Sequence, residues 1–437
     1  MGCGASKEAP VVTSPAAAKT AGKHHATVAA ANNTAATTEL RKGSTGTMVA
    51  SEDTRHETAA GETTQQQVPM TESVKTVLGN HIVRYACLSR KGRDPEVLNK
   101  PNQDAYSHQA GEFNNDSADA FFGVYDGHGP TGELCAQFVQ RRLPVLVAEH
   151  LQEQPNFVLS VDQISFALRE AHTTCNEELH ASNINDSNSG TTSITLYLQG
   201  DYNRITVSNV GDSRAVLGTS DGKKIQAVPL SKDQTPRRAD EAKRCEKQGA
   251  RILSFGQINP AQQDDDTDEE DPPRVWAQNG NYPGTAFTRS LGDNVAEKLG
   301  VNAVPEILSL KIGGSEKVIV LATDGIFDVM DNQKVVDTCV KYYKDPLEAC
   351  RNVIECAHAE WLKNEDCVDE EFANYDDMTI VCIFLGDDSD WKTDKTEAIS
   401  TDAVSADSAE GVPVLQKTHS KRVRQKTLRN LDEMMGS

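Results

Sequence analysis

The sequence predicts an α+β fold in which antiparallel sheets lie inside and helices outside. Three observations carry this expectation. Apolar strands come in hairpin-like runs, "TTSITLYLQG", "DYNRITVSNVG" and "DSRAVLG", joined by Gly, Asp and Asn turns. Helical periodicity comes in blocks of two, not after every strand. Hydrophobic patterning begins abruptly at "NHIVRYACLS" and ends at "MTIVCIFLG", with no internal linker between.

Residues 8–75 are rich in Ala, Thr, Gln and Ser, nearly charge-balanced and without hydrophobic periodicity, which reads as a disordered tether. From there, strands are expected at 81–89, 103–108 and 120–126. The last, within "AFFGVYDGHGP", is a fully apolar run that stops at Asp126. A helical pair follows at 131–150 and 161–181, then the hairpin strands 191–198, 203–210 and 213–218. A helix is expected at 238–248 and a buried strand at 317–323 in "KVIVLATDGIFDV". Val335, Val336, Cys339 and Val340 place a helix at 332–343, paired with another at 346–364; the strand 378–385 closes the core. After residue 387 the hydrophobics disappear again. The expected organisation is a tether at 1–78, a globular domain at 79–387 and a tail at 388–437. The acidic run "DDDTDEED" (264–271) lacks the spacing of a calcium loop and reads as a surface insertion.

Lys and Arg number 44 against 65 Asp and Glu, a net charge of −21, which argues against nucleic-acid partners. The ten cysteines form no CxxC pair, so a disulfide framework or structural zinc is not expected and a reducing compartment fits. No apolar run is long enough to span a membrane. The opening "MGCGAS", however, supplies Gly2, Cys3 and Ser6 in the N-myristoylation pattern, with Cys3 as a second acylation site. One myristoyl chain anchors only marginally, so the pair matters. The last segment carries Lys417, Lys421, Arg422, Arg424, Lys426 and Arg429 with Leu428 and Leu431, which suits either a basic helix on an anionic membrane or a solvated tail. The expected location is the cytoplasmic face of a membrane, the plasma membrane first.

The chemistry is expected at strand ends. Asp126 and Asp324 each end an apolar run and precede a glycine, Asp376 stands before the strand 378–385, and Asp104 sits beside a short strand. If those strands are antiparallel neighbours, the carboxylates meet at one edge, offering hard oxygen ligands for Mg²⁺ or Mn²⁺. Two such ions can clamp a phosphoryl oxygen and lower the pKa of a water between them. His128, flanked by Gly127 and Gly129, is the one histidine with chemical context, as a general acid.

Together, "NQDAY", "FFGVYDGHGP", "SGTTSITLYL", "VSNVGDSRAVL", "LSKDQTP", "PGTAFTRSLGD", "VIVLATDGIFDV" and "NYDDMTIVCIFL" resemble, in family order, the metal-dependent serine/threonine protein phosphatases of type 2C. The resemblance implies a four-layer α-β-β-α sandwich with two central antiparallel sheets and a two-metal site at one edge. It implies that Asp126 bridges the metals and Gly127 lends its carbonyl. Asp324 and Asp376 would complete the first metal's ligands and Asp104 would serve the second. Asp212 and Asp328 match positions that, with Asp324, hold a weaker third metal, while Asp293 looks structural. Residues 238–288 would form a flap beside the site.

One departure stands out. Where many members carry Glu-Asp preceded by a phosphate-binding arginine, this chain has Gln103-Asp104 and Asn99. Lys100 is the expected replacement cation, with Arg90, Lys91 and Arg93 as others within reach. The expected function is hydrolysis of phosphoserine and phosphothreonine in proteins by metal-activated water, in a monomer tethered to a membrane. The alternative is a pseudophosphatase that serves as a membrane scaffold.

Overall fold

A computed structural model describes residues 70–391 apart from 98, 112, 156–157, 259–270, 365–372, 388 and 390. The chain opens with β1 (Val74–Leu78), β2 (His81–Arg90), β3 (Asp104–Ala110) and β4 (Asp119–His128), followed by the helices α1 (Gly132–Gln152) and α2 (Val161–Ala181). Next come β5 (Gly190–Thr191), β6 (Ser193–Gln199), β7 (Arg204–Val210), β8 (Arg214–Ser220) and β9 (Ile225–Pro229). An excursion follows: α3 (Ala239–Lys247), β10 (Arg251–Leu253), α4 (Phe255–Ile258), β11 (Arg274–Trp276) and β12 (Pro283–Thr285). The remainder is β13 (Leu291–Gly292), α5 (Asn294–Glu297), β14 (Glu306–Lys311), β15 (Glu316–Ala322), α6 (Asp324–Phe327), α7 (Asn332–Lys341), α8 (Pro346–Asn364) and β16 (Met378–Leu385).

Two large antiparallel sheets result. One has six strands in the order β1-β2-β16-β15-β8-β9; the other has seven, β13-β5-β4-β6-β7-β14, with β3 paired to β4. The excursion forms its own three-stranded sheet, β10-β11-β12, where the flap was expected.

Each sheet is buried on both faces, which is why its strands read as unbroken apolar runs. Adjacent residues of β4 show the consequence, because strand side chains alternate between faces. Phe121 and Tyr125 pack under α1 and α2 with Val139, Leu143 and Leu168. Phe122 and Val124 point the other way and meet Leu217, Leu321, Val381 and Ile383 of the six-stranded sheet. The outer face of that sheet supplies Val320, Cys382 and Phe384 to Val335, Val353 and Trp361 of α7 and α8. Each fully buried aromatic or aliphatic side chain contributes about 1.5–3 kcal/mol. The fold is therefore the expected α-β-β-α sandwich.

Helix starts follow local chemistry. Ser160 and Gln163 form a capping box at α2, and the Asp331 side chain accepts from Lys334 N at α7.

The structure moves one boundary. β1 lies before the expected domain start at 79, paired in register with β2 from Val74↔Tyr85 to Leu78↔His81. Leu78 is fully buried, so the folded unit includes residues assigned to the tether.

Candidate metal centre

The sandwich brings the expected aspartates to one rim, and they arrive from different sheets. Asp104 opens β3 and lies directly opposite Asp126 of β4, both in the seven-stranded sheet. Asp324 follows β15 as the first residue of α6, and Asp376 precedes β16, both on the six-stranded sheet. A hydrogen bond crosses between the sheets: Thr323 Oγ1 donates to Asp104 Oδ2 at 3.0 Å. The other oxygen, Oδ1 of Asp104, is buried with no hydrogen-bond partner.

The carboxylates lie close enough to act on one another. Burial pushes the Asp126 carboxyl well above its ordinary pKa, and the charges of Asp104, Asp324, Asp376 and Asp212 push it further. Asp104 is likewise raised, by burial first and then by Asp377. Mutual repulsion of this kind is what a cation relieves. An all-oxygen donor set with an orphaned buried carboxylate oxygen fits Mg²⁺ or Mn²⁺.

Two glycines let the backbones approach. A Cβ on Gly127 would lie 2.3 Å from Gly132 O and 2.5 Å from Gln103 O. A Cβ on Gly325 would lie 2.0 Å from Asp377 O. Gly127 N donates to Gln103 O (3.1 Å), which fixes the strand end where its carbonyl was expected to be a ligand.

His128 is the last residue of β4. Its Nε2 is 2.6 Å from Asp293 Oδ2, and its ring lies 4.3 Å from that of Phe287. Asp293 is 2 % exposed and adopts a left-handed backbone, φ 55°, a conformation that costs free energy and persists only where the surroundings enforce it.

A model of the protein phosphatase 2C family matches residues 98–365. The chain belongs to the protein phosphatase 2C family. It is 41% identical over 306 residues to "Probable protein phosphatase 2C 35" of Arabidopsis thaliana, covering 68% of this chain and 83% of that protein. A second Arabidopsis relative, "Probable protein phosphatase 2C 72", is 36% identical over 60% of this chain and 76% of its own length. Among solved structures, serine-threonine phosphatase 2C from Toxoplasma gondii superposes with a TM-score of 0.56 at 18% identity, covering 73% of this chain and all of that one. That likeness carries the fold alone.

Against this protein phosphatase 2C background, the second group of expected ligands also gathers. Burial raises Asp212 to about 7, with Asp233 and Asp328 adding to the shift. Arg214 pairs with Asp233 at 2.5 Å and lies over the Phe327 ring.

Lys100, the expected phosphate-binding cation, sits among the acids of the rim. Its Nζ is 2.8 Å from Asp377 Oδ2 and 3.5 Å from Asp376 Oδ1. Burial would lower its pKa, but Asp376 and Asp377 outweigh burial and hold it above the ordinary value. Its charge is paired with the acids beside the rim. Of the other cations considered, Arg90 pairs with Glu355 at 3.2 Å.

Three residues mattered more than the sequence reading allowed. Asp377 is the hub of the site: Oδ1 accepts from Gly92 N (2.6 Å), and Oδ2 accepts from Gln103 N (2.9 Å) as well as Lys100. The doubled acid in "NYDDMT" was the only signal for it. Gln103 holds the loop after β4, its Nε2 donating to Gly129 O at 2.8 Å. Asp293, expected to be structural, is the partner of His128.

The tightest carboxylate cluster among the described residues lies elsewhere, at Asp240, Glu241 and Glu306. It is already neutralised. Arg238 holds Asp240 and Glu306, each at 2.7 Å, while Arg289 and Arg244 hold Glu241 at 2.6 and 2.7 Å. Gly2, Cys3, the basic tail and most of the acidic run lie outside the described residues.

Proposed function

We propose that this protein phosphatase 2C family member hydrolyses phosphoserine and phosphothreonine esters in proteins with Mg²⁺ or Mn²⁺, at a membrane surface. The observation that carries the reading is the meeting of Asp104, Asp126, Asp324 and Asp376 at one rim, beside a histidine fixed by a buried carboxylate. Two cations held there would supply Lewis-acid activation of a water and charge neutralisation of the phosphoryl oxygens.

The chain's own residues do the rest. Asp126, Asp104, Asp324, Asp376 and the Gly127 carbonyl are the residues that would hold the pair; Asp212 and Asp328 with Asp324 would hold a weaker third. Asp377 and Lys100 lock the Asp376 loop to the segment carrying Asp104. Asp293 anchors the His128 ring through Nε2, leaving Nδ1 to hold the proton for the leaving seryl or threonyl oxygen. No covalent phosphoenzyme is required. Gly2 and Cys3, with the basic tail, support tethering to the cytoplasmic face of a membrane.

The test is a phosphopeptide assay with and without Mn²⁺, wild type beside Asp324→Ala. Turnover that requires Mn²⁺ and vanishes in the folded variant supports the reading. Turnover in chelator refutes the metal centre. A folded wild type that releases no phosphate supports the scaffold reading, which the commitment of Gln103 to Gly129 favours.

A further inference from the structure

Two edge strands, β9 and β14, border a groove of about 620 Å³ between the large sheets. Their edges differ. β9 is closed to further pairing, because Gln333 Nε2 donates to Ile225 O (3.1 Å), its Oε1 accepts from Ala227 N (2.9 Å), and Pro229 has no N–H to offer. β14 pairs only with β7, and among the described residues no strand covers its outer edge. Leu308, in the middle of β14, is 42 % exposed, and Val304 just before the strand is 45 % exposed. An open edge carrying exposed apolar side chains is where an extended peptide adds as a further strand.

The charge of the groove points to the occupant. Its two carboxylates are already engaged, Asp233 by Arg214 (2.5 Å) and Glu306 by Arg238 (2.7 Å). Lys232 also lines the groove; it is exposed and has no ion pair among the described residues. The lining charges balance, Arg214 and Lys232 against Asp233 and Glu306, and Lys232 is the one left without an ion pair among the described residues, beside Leu230, Ile307 and Leu308.

The groove adjoins Asp212 and Asp328, whose charges act on the groove-lining Arg214. Asn209 and Arg214 line the groove, and the loop between them carries Asp212. Gln234 clamps that loop, accepting from Gly211 N (2.7 Å) and donating its own N–H to Gly211 O (3.0 Å).

We infer that this groove docks the polypeptide flanking the phosphorylated residue of a phosphoprotein substrate. The segment lies extended along β14, with an apolar side chain over Leu308 and an acidic one against Lys232. This inference rests on the proposed phosphatase activity and adds a determinant of substrate choice.

The experiment compares three substrates: a ten-residue phosphoserine peptide with Leu and Asp flanks, one with Gly and Ser flanks, and p-nitrophenyl phosphate, which has no flank. Wild type should prefer the Leu/Asp peptide by about tenfold in kcat/KM, the size of one good contact. Lys232→Glu and Leu308→Ser should each remove that preference through KM, leaving the other two substrates unchanged. No preference in wild type, or equal losses on all three substrates, overturns the groove. If wild type hydrolyses none of them, the phosphatase reading fails. Fluorescence anisotropy of the labelled Leu/Asp peptide then decides docking by itself: binding weakened in both variants supports it, and no binding to wild type overturns it.

Discussion

Gly325→Ala places one methyl group where two loops of the six-stranded sheet meet, and its cost can be worked from the contacts. The new Cβ would sit 2.0 Å from Asp377 O, 3.0 Å from Asp377 C and 3.3 Å from Asp376 Cβ. Carbon and oxygen do not approach within 3.0 Å, so one side must move by about 1 Å. Neither side is free to do so. The buried Trp361 indole donates to Gly325 O at 2.7 Å, while Asp377 is held by Gly92 N, Gln103 N and Lys100. Overpacking of this kind costs about 1–3 kcal/mol. A displacement of about 1 Å in the loop bearing Asp376 should lower turnover by about 10²-fold. Urea unfolding, with circular dichroism for fold, reads the first effect; phosphopeptide kinetics across a Mn²⁺ titration read the second. A variant with the wild-type urea midpoint and wild-type kcat/KM would refute this account of how the loops are locked.

His128→Gln should lower the rate on phosphoserine peptides by about 10²–10⁴-fold and lower it less on p-nitrophenyl phosphate, whose leaving group needs no proton; equal losses would leave His128 a structural role. Glu241→Gln should destabilise the protein by about 3 kcal/mol in thermal or urea unfolding, because Arg244 and Arg289 lose a buried counter-charge. Burial would raise the Glu241 carboxyl, but Arg289, Thr288 and Arg244 hold it at about 2 against 4.5. A depressed folded value gives stability that is full above 4.5 and lost as pH falls toward 2, so the acid limb of a stability–pH curve should flatten in the variant. Gly2→Ala should release the protein from membranes in fractionation, and Cys3→Ser should loosen it, with activity in solution unchanged in both; a Gly2→Ala protein that still pellets with membranes would show another anchor.

Elements with long, strongly patterned sequences were legible. The helices at 161–181 and 346–364 and the strand at 378–385 fall at the expected residues, because a continuous buried face imposes periodicity. β1 was hidden in polar surroundings, although Val74, Thr76 and Leu78 alternate before the turn at Gly79. β14 was missed because it is an edge strand with mixed exposure, so no face of it is uniformly apolar. At the rim, the four aspartates could be read because each interrupts a hydrophobic pattern. Their supports could not. The roles of Asp377, Asp293 and Gln103 depend on contacts across 26 to 285 positions of chain, and no local spacing encodes such distances. Lys100 shows the converse: sequence placed a cation near the site, and only the fold shows which acids it contacts.

Because Asp104 and Asp126 ride on one sheet while Asp324 and Asp376 ride on the other, the rim behaves as a seam. Its width is set by the apolar layer beneath it, where Phe122 and Val124 face Leu321 and Val381. A methylene removed from that layer, without touching any polar residue, would let the sheets settle and alter the gap between the two pairs of carboxylates. The seam also works in reverse. A cation gripping both sides bolts the sheets together, so saturation at about a hundred times its dissociation constant would add about 2.7 kcal/mol to the stability of the whole sandwich.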